Sequence, residues 1–206
     1  MQTFVYSIVR IGLWLALAAF PCVGLAAEKE THDGFLGRIQ FGLGYTRMTS
    51  EPLTIQGEGT VLTVALGGML NEHVGLYGEL VQSETMAPRF HPNGAFRDDD
   101  SDISAGIYGI GGGAVYYFKP YNLYASAAVD VVRAGIYRRR SDDDYRIKYR
   151  SDYGVGGTVS IGREWWVDAE WGLGVAGIFQ MSRIPDQDDT TWQNGSFGLA
   201  LSATFN

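Results

Sequence analysis

The sequence predicts an all-β protein: an eight-stranded antiparallel transmembrane up-and-down β-barrel preceded by a cleaved signal peptide. Three observations predict it. Side chains alternate with a period of two along nearly the whole chain after residue 36, and one face of each alternating segment is apolar. Tight and long connections strictly alternate between those segments. The N-terminus carries one cation, Arg10, an apolar run from Ile11 to Phe20, the break at Pro21, and small residues at Gly24, Ala26 and Ala27, which is the order of a secretory signal.

The domain organisation follows: a signal peptide over 1–27, a short N-terminal segment over 28–36, and the barrel over 37–206. A retained transmembrane helix is excluded because Pro21 and the run "EKETHD" close the apolar segment early. Cleavage removes Cys22, the only cysteine, so the exported chain has no disulfide and no thiolate metal site. Removing Arg10 also lowers the net charge from −7 to −8. An acidic chain without an isolated basic cluster excludes nucleic acid as a partner. The 28 glycines, 6 prolines and 13% aromatic residues describe twisted strands rather than a disordered linker.

The first segment, Gly37 to Arg47, sets Ile39, Phe41, Leu43 and Tyr45 against Arg38, Gln40, Gly42, Gly44 and Thr46. In the second, Thr60 to Leu70, the apolar face is Leu62, Val64, Leu66 and Leu70. The third, His73 to Ser83, sets Val74, Leu76, Gly78 and Leu80 opposite Tyr77 and Glu79. The fourth, Ile103 to Phe118, offers either phase, because "GIYGIGGGAVYYF" has small residues on both faces. The fifth, Tyr121 to Tyr137, has an apolar odd face, with Ser126 and Asp130 on the other side. The sixth, Ser151 to Gly162, sets Tyr153, Val155, Gly157, Val159 and Ile161 against Gly154, Gly156, Thr158 and Ser160. The seventh, Arg163 to Met181, is apolar or glycine at every odd position from Trp165 onward, with Asp168, Glu170 and Gln180 on the even face. The eighth, Gln193 to Asn206, sets Phe197, Leu199, Leu201, Ala203 and Phe205 against Ser196, Gly198, Ala200, Ser202 and Thr204.

A soluble barrel also alternates, but its large residues point inward. Here the opposite faces are glycine, Ser, Thr and charge, too thin and polar to be the only core, so the large residues face lipid and the polar ones face the bore. Leu173 is therefore expected in mid-membrane, where Arg would block insertion, whereas Thr158→Arg on the inner face would be milder. Tight joints near Asn71–Glu72, Pro120 and Arg163–Glu164 alternate with long charged ones at 48–58, 84–102, 138–150 and 182–192. That asymmetry belongs to outer-membrane barrels, with long loops extracellular and both termini periplasmic. Tyrosine, phenylalanine and tryptophan gather at segment ends, at the depth of the headgroups.

With "GRIQFGLGYTR" opening the barrel, "GVGGTVSIGREWWVDAEWGLGVAG" as a late hairpin and "GSFGLALSATFN" closing it, the chain resembles the small eight-stranded outer-membrane barrels of the OmpA and OmpX type. The resemblance covers Gly37 to Asn206 and implies contact with outer-membrane lipids and lipopolysaccharide, biogenesis by the barrel assembly machinery, and a monomer. Such barrels end on an aromatic residue; here Asn206 follows Phe205.

The bore of eight strands is wide enough only for side chains. Arg38, Gln40, Glu79, Asp130, Asp168 and Glu170 are the expected inward groups, a polar plug or gate in which Arg38 pairs with carboxylates because unpaired buried charge is costly. Arg133, Arg138, Arg139, Arg140, Lys148 and Arg150 fall at or beyond strand ends, where guanidinium forks match lipopolysaccharide phosphates; a solvated run balanced by Asp142 to Asp144 reads equally well. Asp98 to Asp100 and Asp186 to Asp189 lack EF-hand spacing, so no metal and no cofactor is expected. Some eight-stranded barrels modify lipid A, using a hydroxyl nucleophile with a base. His32, His73 and His91 are poor candidates for that work, so no catalytic residue is assigned. The function read from the sequence is a non-enzymatic barrel serving envelope integrity or surface interaction. A narrow channel for small solutes is the alternative, and a lipid A-modifying enzyme the third.

Overall fold

The computed structural model describes residues 32, 34–51, 53–92, 103–119, 121–141, 144–186 and 190–206; the signal segment lies outside them. Among the described residues ten strands follow one another: β1 (Phe35–Ser50), β2 (Leu53–Met69), β3 (Val74–Met86), β4 (Arg89–Pro92), β5 (Ile103–Phe118), β6 (Leu123–Ser141), β7 (Asp144–Arg150), β8 (Gly154–Trp166), β9 (Trp171–Pro185) and β10 (Thr191–Phe205). Eight of them are staves. Each pairs antiparallel with its neighbours in the order β1, β10, β9, β8, β6, β5, β3, β2, and β1 pairs β2 to close the ring. Closure leaves no unpaired sheet edge among the staves, as a hydrocarbon surround requires.

The phase of β5, open in the sequence, is fixed by its partners. Tyr116 stands opposite Val74 and Ala125, both outward, so Ile110, Tyr116 and Phe118 face out while Val115 and Tyr117 are buried. The outer wall is apolar around the ring, with Leu199 79% exposed and Leu43 73%. An exposed apolar band of this extent is a lipid-facing surface.

Two expectations are corrected. The tight turn after β8 is at Val167–Glu170 rather than Arg163–Glu164, closed by the Val167 and Asp168 amides donating to the Trp171 carbonyl at 2.9 and 3.3 Å. The expected seventh strand is thus the end of β8, a turn and β9. Trp166 pairs with Gly172, so residues of equal parity share a face across the turn and the odd apolar stripe passes through it unbroken. Leu173 consequently sits beside the turn, opposite Trp165 and Ala203, and not in mid-membrane.

The long connections are also largely strand. The 48–58 stretch is the top of β1 and β2, which run to Ser50 and from Leu53. β4 folds back onto Leu53–Gln56 of β2, and β7 folds back onto β6. Staves reach 13 to 19 residues, beyond the roughly 9–11 that cross a bilayer. Past the bilayer the outward positions turn polar, as at Arg47, Gln56, Glu58 and Arg183, while apolar residues such as Met48, Ile55, Ile184 and Trp192 turn inward. The outward apolar stripe, the signal used to end the strands, therefore stops there while backbone pairing continues. Residues 93–102, 142–143 and 187–189, with the acidic positions Asp98 to Asp100, Asp188 and Asp189, lie outside the described residues.

Candidate functional site

The bore is filled in tiers. At the rim that carries the short turns, His32 is 1% exposed. Its ring stacks on Tyr117 at 3.5 Å, while Nε2 meets Asn122 Oδ1 at 3.1 Å and Nδ1 meets Asn206 Nδ2 at 2.7 Å. Asn122, at φ 51° in the β5–β6 turn, occupies a left-handed conformation that asparagine tolerates better than most residues. The Asn206 amide also donates to the Glu170 carbonyl at 3.0 Å. The residue following the terminal aromatic therefore latches the N-terminal segment into the barrel mouth.

The hydrogen bonds suit a neutral imidazole, Nε2–H donating and Nδ1 accepting. Burial, the largest influence, holds the His32 pKa below the ordinary 6.5. Because the unfolded chain takes up a proton first as pH falls through that value, this contact stabilises above about 6.5 and weakens below it. Imidazole ¹⁵N spectra are expected to show the Nε2–H tautomer of His32 with a titration midpoint below 6.5; a midpoint at or above it would contradict the contact.

Above that stopper lies the charged tier. Arg38 is 3% exposed, and its Nε stands 3.5 Å from Glu164 Oε1. Arg38 Nη2 donates to the Tyr117 hydroxyl at 2.5 Å and Nε to Thr204 Oγ1 at 3.2 Å, and its guanidinium lies 4.0 Å over the Tyr124 ring. Glu164 Oε1 accepts from Thr204 at 2.5 Å and Ser202 at 3.4 Å, and Oε2 accepts from the Tyr117 hydroxyl at 3.4 Å. Gln40 Nε2 donates to the Tyr124 hydroxyl at 2.6 Å, and Thr63 donates to Gln40 Oε1 at 2.7 Å. Hydroxyls of Tyr117 and Thr204 contact both charges of this buried pair, and Ser202 and the Tyr124 ring add one further partner to each, the kind of surrounding in which such a pair is tolerated.

Glu164 was not among the expected inward groups, and Asp168 and Glu170 are corrected: both lie in the β8–β9 turn rather than in the bore. The misplacement follows from the unbroken stripe, which gives no sign of where β8 ends. A better signal was present. Trp165, Trp166 and Trp171 bracket "VDAE", two aromatic rims around a polar turn.

Glu79 and Asp130 occupy the middle tier, 5% and 2% exposed, on either side of Gly111 in register. Asp130 Oδ1 lies where a Cβ on Gly111 would approach to 2.1 Å, so only glycine fits there. Thr158 donates to Asp130 Oδ2 at 2.8 Å, whereas Glu79 Oε1 and Asp130 Oδ1 have no partner and neither residue makes an ion pair among the described residues. Arg38 reaches Glu164 rather than these two.

The upper tier holds an apolar cluster, with buried Asn194 opposite Met48 and buried Thr85 donating to the Ala105 carbonyl at 2.9 Å. Met48, Ile55, Ala105, Ile107, Val132, Ala134, Ile184 and Trp192 form one buried cluster, against which Leu53, Phe90, Ile136 and Tyr149 pack. Trp192 Nε1 donates to the Tyr149 hydroxyl at 3.0 Å and to Asp186 Oδ2 at 2.9 Å, tying β7 to the β9–β10 connection. This second core lies where a loop region was expected.

Of the expected lipid contacts, Arg133 is half-buried on the outer wall, its Nε donating to the Ser151 carbonyl at 2.7 Å and its guanidinium 4.8 Å over Tyr153, and Arg150 is exposed. The side chains of Arg138, Arg139, Arg140 and Lys148 lie outside the described ones, on the backbone of β6 and β7. Among the described residues no group of three or more His, Cys, Asp or Glu could hold a metal. Among the described residues, His73 pairs with Glu72 at 3.6 Å beside the β2–β3 turn and hydrogen-bonds Asn71 and the Tyr117 carbonyl, neither of them a hydroxyl nucleophile.

The family model described as the outer membrane protein beta-barrel domain matches residues 14–205. The crystal structure of Neisserial surface protein A is similar over 85% of this chain and 99% of its own, with 16% identity and a TM-score of 0.55. The outer membrane protein OprG from Pseudomonas aeruginosa is similar over 87% and 100%, with 11% identity and a TM-score of 0.48. Ail, the attachment invasion locus protein of Yersinia pestis, is similar over 82% and 99%, with 11% identity and a TM-score of 0.46. No curated protein sequence matches the chain.

Proposed function

Given that the chain belongs to the outer membrane protein β-barrel domain family, we propose that it is a closed, non-enzymatic barrel of the outer membrane that reinforces the envelope and presents a rigid surface outside the cell. The observation that carries this reading is the filled bore. His32 stops one mouth, the Arg38–Glu164–Tyr117 network crosses the barrel, and the apolar cluster around Trp192 covers the other mouth. A conduit needs continuous polar space, and an apolar cluster with a hydrogen-bonded Trp–Tyr–Asp tie interrupts it.

The long strand extensions face the cell exterior in this reading, and both termini are periplasmic. The short-turn rim, where Lys119 donates to Glu72 at 2.8 Å and lowers the Glu72 carboxyl pKa, then faces the periplasm. Arg133 and Arg150, with Arg138, Arg139, Arg140 and Lys148 farther out, meet lipopolysaccharide phosphates. Assembly proceeds through the barrel assembly machinery to a monomer, and no cofactor takes part. Planar bilayers containing the refolded protein are expected to show no discrete conductance steps. Reproducible steps would instead establish the narrow channel.

A further inference from the structure

We propose that the outer wall over β9, β10 and β1 holds a docking groove for one phosphorylated, multiply acylated lipid of the surrounding leaflet. This site is distinct from the contacts of Arg133 and Arg150, and it rests on the wall facing lipid, not on the bore being closed.

Two hollows make the groove. The upper, of about 610 Å³, lies between Tyr45, Arg47, Phe179, Gln193, Gly195 and Phe197. The lower, of about 1000 Å³, is floored by Ile161, Val175, Gly177 and Leu199, and Phe197 borders both, so they form one track down the apolar wall. Each hollow is lined by an outward glycine that the fold does not demand. A Cβ on Gly195 would meet nothing within 4 Å, and one on Gly177 would come no closer than 3.9 Å to the Ile161 carbonyl. Neither has a positive φ. The neighbouring inward glycines differ: a Cβ on Gly174 would fall 2.1 Å from the Arg163 carbonyl, and one on Gly198 2.7 Å from Val61. What glycine contributes at 195 and 177 is open space on the membrane side.

Arg47, which lines the upper hollow, stands directly opposite Gly195 across the β1–β10 pair, and Arg183 stands just beyond that hollow, opposite the lining residue Gln193 across β9–β10. Both are exposed, and neither makes a hydrogen bond or ion pair among the described residues. Separated by one intervening strand and offset by two residues along it, their backbones lie about 12 Å apart, since adjacent strands are spaced by about 4.8 Å and each residue rises about 3.3 Å. Flexible arginine side chains at that spacing can converge on one phosphate or take one each. The carboxylate residue Glu58 stands opposite Tyr45 on β2, across β1 from the groove. Beneath the arginines, Tyr45 and Phe197 pack with ring centres 6.0 Å apart and mark the headgroup depth. An occupant must place anionic oxygens at Arg47 and Arg183 and hydrocarbon on Phe197, Leu199 and Gly177. That combination of chemistry is an acylated phospholipid or glycolipid, and a soluble protein segment cannot reach the lower hollow.

The test uses the full mature chain refolded in detergent, with diphosphoryl lipid A as the probe and retained lipid read by native mass spectrometry. Wild type is expected to keep one lipid A more firmly than either its dephosphorylated form or phosphatidylethanolamine. Removing a charged hydrogen-bonding partner is expected to weaken retention roughly tenfold in Arg47→Gln and again in Arg183→Gln. Gly195→Leu is expected to weaken it by filling the hollow, and Arg89→Gln, at an exposed arginine of β4 outside both hollows, to leave it unchanged. Heat-modifiable migration on gels confirms that each variant is folded. Equal retention by wild type and the Arg47→Gln/Arg183→Gln pair, equal retention of dephosphorylated lipid, or an equal loss in Arg89→Gln would overturn the groove. A conducting barrel that still binds lipid A at Arg47 would refute only the closed-bore reading.

Discussion

Arg38→Met is expected to destabilise the barrel by about 3–5 kcal/mol, the cost of leaving a buried partner charge uncompensated. Glu164 is 2% exposed, and two of its three hydroxyl donors, Tyr117 and Thr204, are themselves held by Arg38. Removing the guanidinium strands the carboxylate in a bore that already contains Glu79 and Asp130 without a cation among the described residues. Adding Glu164→Gln to Arg38→Met is expected to recover much of the loss, because the amide carries no charge to desolvate and still accepts from Thr204 and Ser202. Urea unfolding from lipid vesicles measures both. A loss below about 1 kcal/mol for the single variant, the level of an exposed pair, would show that water reaches Glu164 and that the bore is open there.

Leu199→Arg is expected to cost about 2–4 kcal/mol, the range for a cation on the lipid face near the bilayer midplane. Leu199 is 79% exposed and stands opposite Leu43 and Gly177 in the middle of the apolar band. Leu173→Arg, beside the β8–β9 turn and opposite Trp165, is expected to cost only about 0–1 kcal/mol because the side chain can extend into the headgroups. The same vesicle titration compares the two. Equal costs would contradict the membrane depth assigned to the turn, and a negligible cost at Leu199 would contradict lipid contact altogether.

The outward and inward faces were legible because strand side chains alternate with a period of two and the two media select opposite chemistries. Ile39, Leu62, Leu66, Leu80, Val131, Ile161 and Leu201 were all separable from Arg38, Glu79, Asp130 and Thr158 on that ground. The phase of β5 was not, because Gly111, Gly112 and Gly113 carry no side chain to sort and the choice lies with Val74 and Ala125 on other strands.

The depth of each turn was equally hidden, since equal-parity pairing of Trp166 with Gly172 carries the stripe through Val167–Glu170 without a break. That one blind spot moved Asp168 and Glu170 out of the bore and brought Glu164 into it.

By itself, the sequence determined the class of the fold, the wall that meets lipid, and four of the polar groups that fill the bore, because each depends only on alternation along a single strand. Tertiary structure alone decided which carboxylate answers Arg38, that Asn206 and Asn122 hold His32 in one mouth, and that Trp192, Tyr149 and Asp186 meet over the other. Those contacts join residues from 6 to 174 positions apart. They are set by the stagger of the closed ring, which no single strand encodes.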